Sequence, residues 1–193
     1  MAVVKKRKTA DAWKKKEWYT IVSPKEFDQK EVGNTPTDKD TKLINRVIWV
    51  PLRDITGDPK QQFTKLRMKV KEVKGKTAYT ELAGFEMNRE FVRRNVRRRR
   101  SIIEITRTVK TKDNKEAQFT ISAFTQRKVD TSKKDQIRHK MMELIDATAH
   151  ENSLEEMRKR CLLGSFGSDL TKVVKPIAPM KRIEVSKCEI TGV

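Results

Sequence analysis

Apolar positions recur along the chain at two spacings. Leu66, Met68 and Val70 alternate with Arg67, Lys69 and Lys71, the two-residue period of a half-buried strand with a basic outer face. Lys74-Gly75 offers a tight turn into an extended segment over 77–83, so 63–83 reads as a hairpin. Ile103, Ile105, Arg107 and Val109 share one face of a further strand. Asp113-Asn114 reverses the chain, and Phe119, Ile121 and Ala123 then face away from Thr120, Ser122 and Phe124. This is a second hairpin. Upstream, Ile44, Val47, Ile48, Trp49 and Val50 make 42–52 a β-branched and aromatic segment that predicts a strand ending at Pro51. Gly57-Asp58-Pro59 marks a turn, and Ile183, Val185 and Ile190 predict a last strand.

The second spacing is helical. Ile137, Met141, Leu144, Ile145 and Thr148 fall at i, i+4, i+7, i+8 and i+11, predicting a helix over 132–149. Ser153 and Glu156 form a capping box ahead of a helix over 154–163. Gly164 and Gly167 read as breaking that helix, with Ser168 capping a short turn before Pro176. Asn88 is placed to cap a helix over 88–99, whose apolar stripe of Phe91, Val92, Asn95 and Val96 is narrow. Near the start, Trp18, Tyr19, Ile21, Val22, Pro24 and Phe27 cluster, so 17–23 reads as extended, followed by a turn. Gly33-Asn34 and Thr35-Pro36 make 28–41 read as loop. Strands first, then helices, with one helix between hairpins, predict an α+β fold. The expected architecture is an antiparallel, partly closed β-barrel with packed α-helices. Residues 1–16 read as a flexible basic arm and 17–193 as a single domain.

Charge sharpens this picture. The 193 residues carry 45 Lys+Arg against 26 Asp+Glu, a net charge of +19, and 37% are charged where about 25% is usual. The excess is clustered. Residues 1–16 hold +6, 85–112 hold +7 and 126–142 hold +4, while 143–193 are balanced. Clustering of one sign is what a phosphate backbone rewards, because each neutralised phosphate releases a counterion. The residues expected to bind are therefore Lys5, Lys6, Arg7, Lys8, Lys14, Lys15 and Lys16 of the arm; Arg89, Arg93, Arg94, Arg97, Arg98, Arg99 and Arg100; and Arg127, Lys128, Lys133, Lys134 and Arg138. On a helix, Arg93, Arg97 and Arg100 would share one face, and like charges four apart would repel. Arginine in place of lysine suits bidentate phosphate contact and stacking. Trp18 and Tyr19 offer stacking faces for unpaired bases, though Ile21, Val22 and Phe27 beside them favour a place in the core.

Other chemistry finds little support. No apolar run is long enough to span a membrane, and the basic start has no apolar segment behind it as a secretory signal would. Cys161 and Cys188 lack any paired spacing for zinc and read as two reduced thiols. His139 and His150 form no metal motif, and His139, between Arg138 and Lys140, reads as a surface or phosphate contact. No phosphate-cradling glycine loop or nucleophile elbow occurs, and the acids are scattered without ligand spacing. The sequence thus predicts no enzyme, no metal and no cofactor, and a polyanion as the partner. A free-standing single-stranded RNA-binding or RNA-chaperone module with an oligonucleotide-binding-type barrel is the alternative.

Particular stretches carry a resemblance. They are Lys16-Glu17-Trp18-Tyr19 running to Pro24 and Phe27; Arg46-Val47 through Leu52-Arg53-Asp54; Gly84-Phe85-Glu86-Met87 with Arg89; the hairpin from Ile103 to Lys128; Ile137-Arg138-His139-Lys140-Met141-Met142-Glu143; and Pro176 through Val185. In this order, over most of residues 16–185, the chain resembles the small-subunit ribosomal protein family of archaea and eukaryotes written "S-three-A-e", also "e-S-one". The short arm and the early end after the last strand look like an archaeal-type or trimmed member. The resemblance implies a β-barrel with packed helices on the platform of the small subunit, in the cytoplasm. It implies contact with the 3′ region of the small-subunit RNA near where messenger RNA leaves, and with neighbouring platform proteins. Messenger RNA or initiation factors are further candidate partners, and no membrane is implied.

Overall fold

The computed structural model describes residues 12–190. The apolar cluster near the start forms β1 (Glu17–Val22), which turns through Lys25–Phe27 into β2 (Glu31–Thr37). β3 (Val47–Pro51) and the short α1 (Leu52–Thr56) follow. The alternating segments become β4 (Thr64–Lys74) and β5 (Thr77–Met87), then α2 (Arg89–Asn95), then β6 (Ile102–Lys110) and β7 (Glu116–Thr125). Three helices, α3 (Thr131–Glu151), α4 (Leu154–Leu162) and α5 (Ser165–Val174), lead into β8 (Met180–Ile190).

All eight strands of the described residues belong to one sheet, and β5 is its hub. Along one edge β5 pairs β4, from Thr64 opposite Met87 to Lys74 opposite Thr77. Its other edge is divided. β1 takes Thr77–Tyr79, and β8 takes Gly84–Glu86. The path runs β2-β1-β5-β8-β7-β6, with β3 added on β4. β3 and β6 do not pair among the described residues, so the sheet stays open, compatible with a partly closed barrel. The α+β expectation holds, with one exception to the antiparallel rule. β1 runs parallel to β5, because the long excursion through β2, β3 and β4 separates them in sequence.

The inner face gathers Leu66, Met68, Phe85, Ile103, Phe119, Ile121, Ile183 and Val185, all buried. α3 closes over it with Ile137, Met141, Ile145 and Ala149; the first three belong to the stripe read from the sequence, Ala149 extends it, and Leu144 and Thr148 are only half-buried. Arg107, on the same strand face as Ile103 and Ile105, reaches the rim of α3 and pairs with Asp146 through two hydrogen bonds of 3.1–3.2 Å. The capping box at Ser153 and Glu156 is formed as expected. Tyr19 is buried and donates to Asp40 at 2.5 Å; that bond, with burial and the Asp40 charge, raises its phenol to about 12. Cys161 and Cys188 are free buried thiols, and burial pushes both up, Cys188 to about 12. Among the described residues one charged side chain enters this interior. Arg158 of α4 is 5% exposed, pairs with Glu26 at 2.9 Å and donates to the Leu82 carbonyl at 2.8 Å.

Four local expectations are corrected. Residues 31–37 are a strand, not loop, because β1 supplies a pairing edge. Pro36 sits opposite Trp18 on this outermost strand, where the missing N–H costs least. The strand expected from 42 begins at Val47, since Asn45 adopts a left-handed conformation at φ 66°. Gly164 ends α4 at φ 77°, but Gly167 lies inside a helix rather than breaking one. A Cβ on Gly167 would sit 2.4 Å from the Ile183 carbonyl, so glycine is what lets α5 lie against β8. The fourth correction, the length of α2, bears on the site.

Candidate nucleic-acid interface

The sequence predicts a helix over 88–99 that carries the arginine run. The helix ends at Asn95, Val96 is extended, and Arg99 is left-handed at φ 63°. Arg97–Arg100 therefore form an irregular turn, with Arg100 N donating to Arg97 O at 3.3 Å, and Arg93, Arg97 and Arg100 share no helical face. The reason is electrostatic: extending the helix would stack guanidinium groups four apart with no anion between them. Asn95 fixes the end of α2 instead. Its buried amide donates to Phe91 O at 3.0 Å and accepts from Lys181 of β8 at 3.1 Å.

Two guanidinium groups cover an aromatic pair beside this turn. Phe63 and Phe91 lie 5.0 Å apart between ring centres. Arg94 sits 4.7 Å over Phe63, and Arg182 sits 5.2 Å over Phe91. Stacking orients a guanidinium without using its in-plane N–H donors. Arg182 also donates to Glu184.

The third basic segment converges on the same end of the sheet. Ser101 N donates to Thr125 Oγ1 at 2.8 Å, and Val129 N donates to Ser101 Oγ at 3.1 Å. Across the strands, Ile102 faces Phe124, and Phe124 faces Arg182. Arg100, Arg127, Lys128, Lys181 and Arg182 are thus carried by adjacent strand ends. Lys133 and Lys134 open α3, whose first turn holds no acid, so they oppose the helix dipole rather than balance it. Arg138 is partly engaged, by Asp135 at 2.5 Å.

Among the described residues, none of Arg89, Arg93, Arg94, Arg97, Arg98, Arg99 and Arg100 has a carboxylate within ion-pair distance. The crowding shows in Lys181. Its ammonium is held below the ordinary lysine value by desolvation and then by Arg100, Arg97, Arg182 and Arg94. Replacing Arg97 and Arg100 with glutamine is expected to raise the Lys181 pKa, followed by NMR titration of its side chain. A value that does not move would mean that these groups do not share one field.

The described part of the arm, residues 12–16, stands apart. Lys14 and Lys15 lie in the turn Ala12–Lys15, and Lys16 sits 4.5 Å over Trp13. Glu17 pairs with Lys76 at the end of β5 opposite to α2. The length of β5, Thr77–Met87, separates the two ends, about 30 Å at strand rise. Lys5, Lys6, Arg7 and Lys8 lie outside the described residues. Trp18 and Tyr19 divide the two roles expected of them, since Trp18 is 60% exposed and Tyr19 is buried. Among the described residues no three His, Cys, Asp or Glu groups gather as for a metal, and no helix is long and apolar enough to cross a membrane.

Over residues 4–192 the sequence matches the Ribosomal S3Ae family. The chain belongs to this family. Its relatives include proteins named small ribosomal subunit protein eS1. That of Methanobrevibacter smithii is 35% identical over 185 residues, covering 96% of each chain. That of Haloquadratum walsbyi is 36% identical over 184 residues, 95% of this chain and 84% of the relative. That of Desulfurococcus amylolyticus is 36% identical over 180 residues, 93% and 84% respectively. A member of the Ribosomal S3Ae family is a structural ribosomal protein and not an enzyme.

Two cations of this S3Ae-family surface escape a sequence reading, Lys181 and Arg182. Their segment has balanced charge, which hides them. The available signal is positional: both immediately precede Ile183, the first apolar residue of the predicted last strand.

Proposed function

We propose that this S3Ae-family protein is an RNA-binding structural constituent of the small ribosomal subunit, supporting translation in the cytoplasm. It holds the 3′ region of the small-subunit RNA on the platform near the messenger RNA exit, beside neighbouring platform proteins. The observation that carries this reading is the basic end of the sheet. There Arg94, Arg97, Arg100 and Arg182 gather around Lys181, adding to the desolvation that holds its pKa below the ordinary lysine value, and the arginines from Arg89 to Arg100 lack internal counterions among the described residues. A fold retains such repulsion where an anion relieves it. A-form RNA conceals its major groove, so phosphates and 2′-hydroxyls are the groups such a surface meets. The names of the archaeal relatives support the small-subunit setting.

Residues 12–16 and the basic sheet end, at opposite ends of β5, suit two separate RNA segments rather than one continuous patch. The test is sedimentation of a tagged copy from lysate through a sucrose gradient, repeated in high salt. Co-sedimentation with the small subunit that persists in high salt is the expected result. Migration at the top of the gradient, or complete release by salt, would instead favour the free-standing RNA-binding module.

A further inference from the structure

Next to α2 lies a groove whose contents the basic surface does not explain. Its wall is Trp49 of the outer strand β3, 46% exposed. Lys65, Glu86, Met87, Asn88, Arg89 and Glu90 complete it around a volume of about 540 Å³, within the ~300–1,000 Å³ range of small-ligand sites. Lys65 and Glu86 are direct partners across β4 and β5. Even so, among the described residues neither these two nor Arg89 and Glu90 form an ion pair or a side-chain hydrogen bond. The Asn88 side chain does not cap its helix either. The groove therefore offers a half-exposed indole and, among the described residues, two cations and two carboxylates without ion-pair partners.

We propose that this groove binds one unpaired nucleotide of the RNA, stacked on Trp49 and selected for an exocyclic amino group. The inference rests on the RNA-binding reading above and adds a base-reading site to it. Each group has a role that fits a nucleotide. The indole supplies the stacking platform. Lys65 and Arg89 stand at the rim for phosphate, and Arg89 opens the helix that continues to Arg93 and Arg94, so the groove is continuous with the arginine surface. Glu86 and Glu90 would repel phosphate but accept hydrogen bonds from the amino group of cytosine, adenine or guanine on its exposed edge. Uracil has no such group. A purely electrostatic RNA surface has no use for two unpaired carboxylates, whereas a base-reading groove does.

The probe is a pair of single-stranded hexamers, oligo(C) and oligo(U). In a W13F/W18F protein Trp49 is the sole indole. Oligo(C) is expected to quench its fluorescence saturably and to bind about tenfold more tightly than oligo(U). In the full chain, W49A is expected to lower oligo(C) affinity about tenfold, with W49F restoring most of it. E86Q/E90Q is expected to erase the preference for oligo(C). Equal binding of both hexamers, or an unaffected W49A, would overturn the groove. Loss of W49A protein from small subunits with oligo(C) affinity intact would give the groove to a protein neighbour and overturn it equally. A structured fragment of small-subunit RNA separates the two levels. If that fragment still binds, only the nucleotide site falls; if it does not, the RNA-binding reading falls with it. Thermal melting of W49A monitors the fold, which a half-exposed edge residue should leave unchanged.

Discussion

Alanine at Arg93, Arg94, Arg97, Arg98 and Arg100 together is expected to reduce the salt slope of RNA binding by up to about 4.5 units, near 0.9 for each phosphate no longer neutralised. At about 0.5–1 kcal/mol for each such phosphate, the affinity falls by about a hundredfold or more. Stability should change little, because two effects oppose each other. Arg94 gives up its stacking on Phe63 and Phe91, about 0.5–1 kcal/mol at an exposed site. Against that, the repulsion within the turn and around Lys181 is relieved. Filter binding or anisotropy over a salt series, beside a thermal melt, reads both quantities. A slope that stays at its original value would mean that RNA passes elsewhere, and attention would move to the arm.

Replacing Arg158 with alanine is expected to destabilise the protein by about 3 kcal/mol. Breaking a buried pair by removing one partner costs about 3–5 kcal/mol, since the other charge is left behind. Here the remaining charge is Glu26, whose side chain is 19% exposed, and the Leu82 carbonyl also loses its donor. Arg158 Nε is buried without a partner, so its removal recovers part of the cost and places the net at the low end. For a domain of this size that is a fall of roughly 6–12 °C in melting temperature. The double replacement R158M/E26M should recover much of the loss, because no lone charge remains. A double variant as unstable as R158A alone would assign the effect to packing.

The elements with unbroken periodicity were legible residue by residue. Ile137, Met141 and Ile145 announced α3, and Leu66, Met68 and Val70 announced β4, because their burial depends on their own spacing. What was illegible depends on distant partners. β2 carries Gly33 and Pro36 and becomes a strand only because β1 lies beside it. Gly167 has the local signature of a helix break, and its reason for being glycine is Ile183, on another element. The arginine run identified the basic surface, but its self-repulsion shortened the helix on which a shared face is expected. Lys181, Arg182 and Trp49 reach their places through strand register, which no local pattern encodes.

The divided edge of β5 has a consequence for the order in which the chain is made. Residues 84–86 of β5 and the whole free side of β7 wait for β8, a strand that follows them by roughly 60 to 100 residues of chain. Until β8 emerges, the two hairpins exist without the strand that joins them, each with an open row of backbone donors and acceptors. Assembly of this sheet is therefore slow for its size and governed by its last strand. In a growing chain with a net charge of +19, nascent RNA would meet the basic segments before the fold that arranges them is complete.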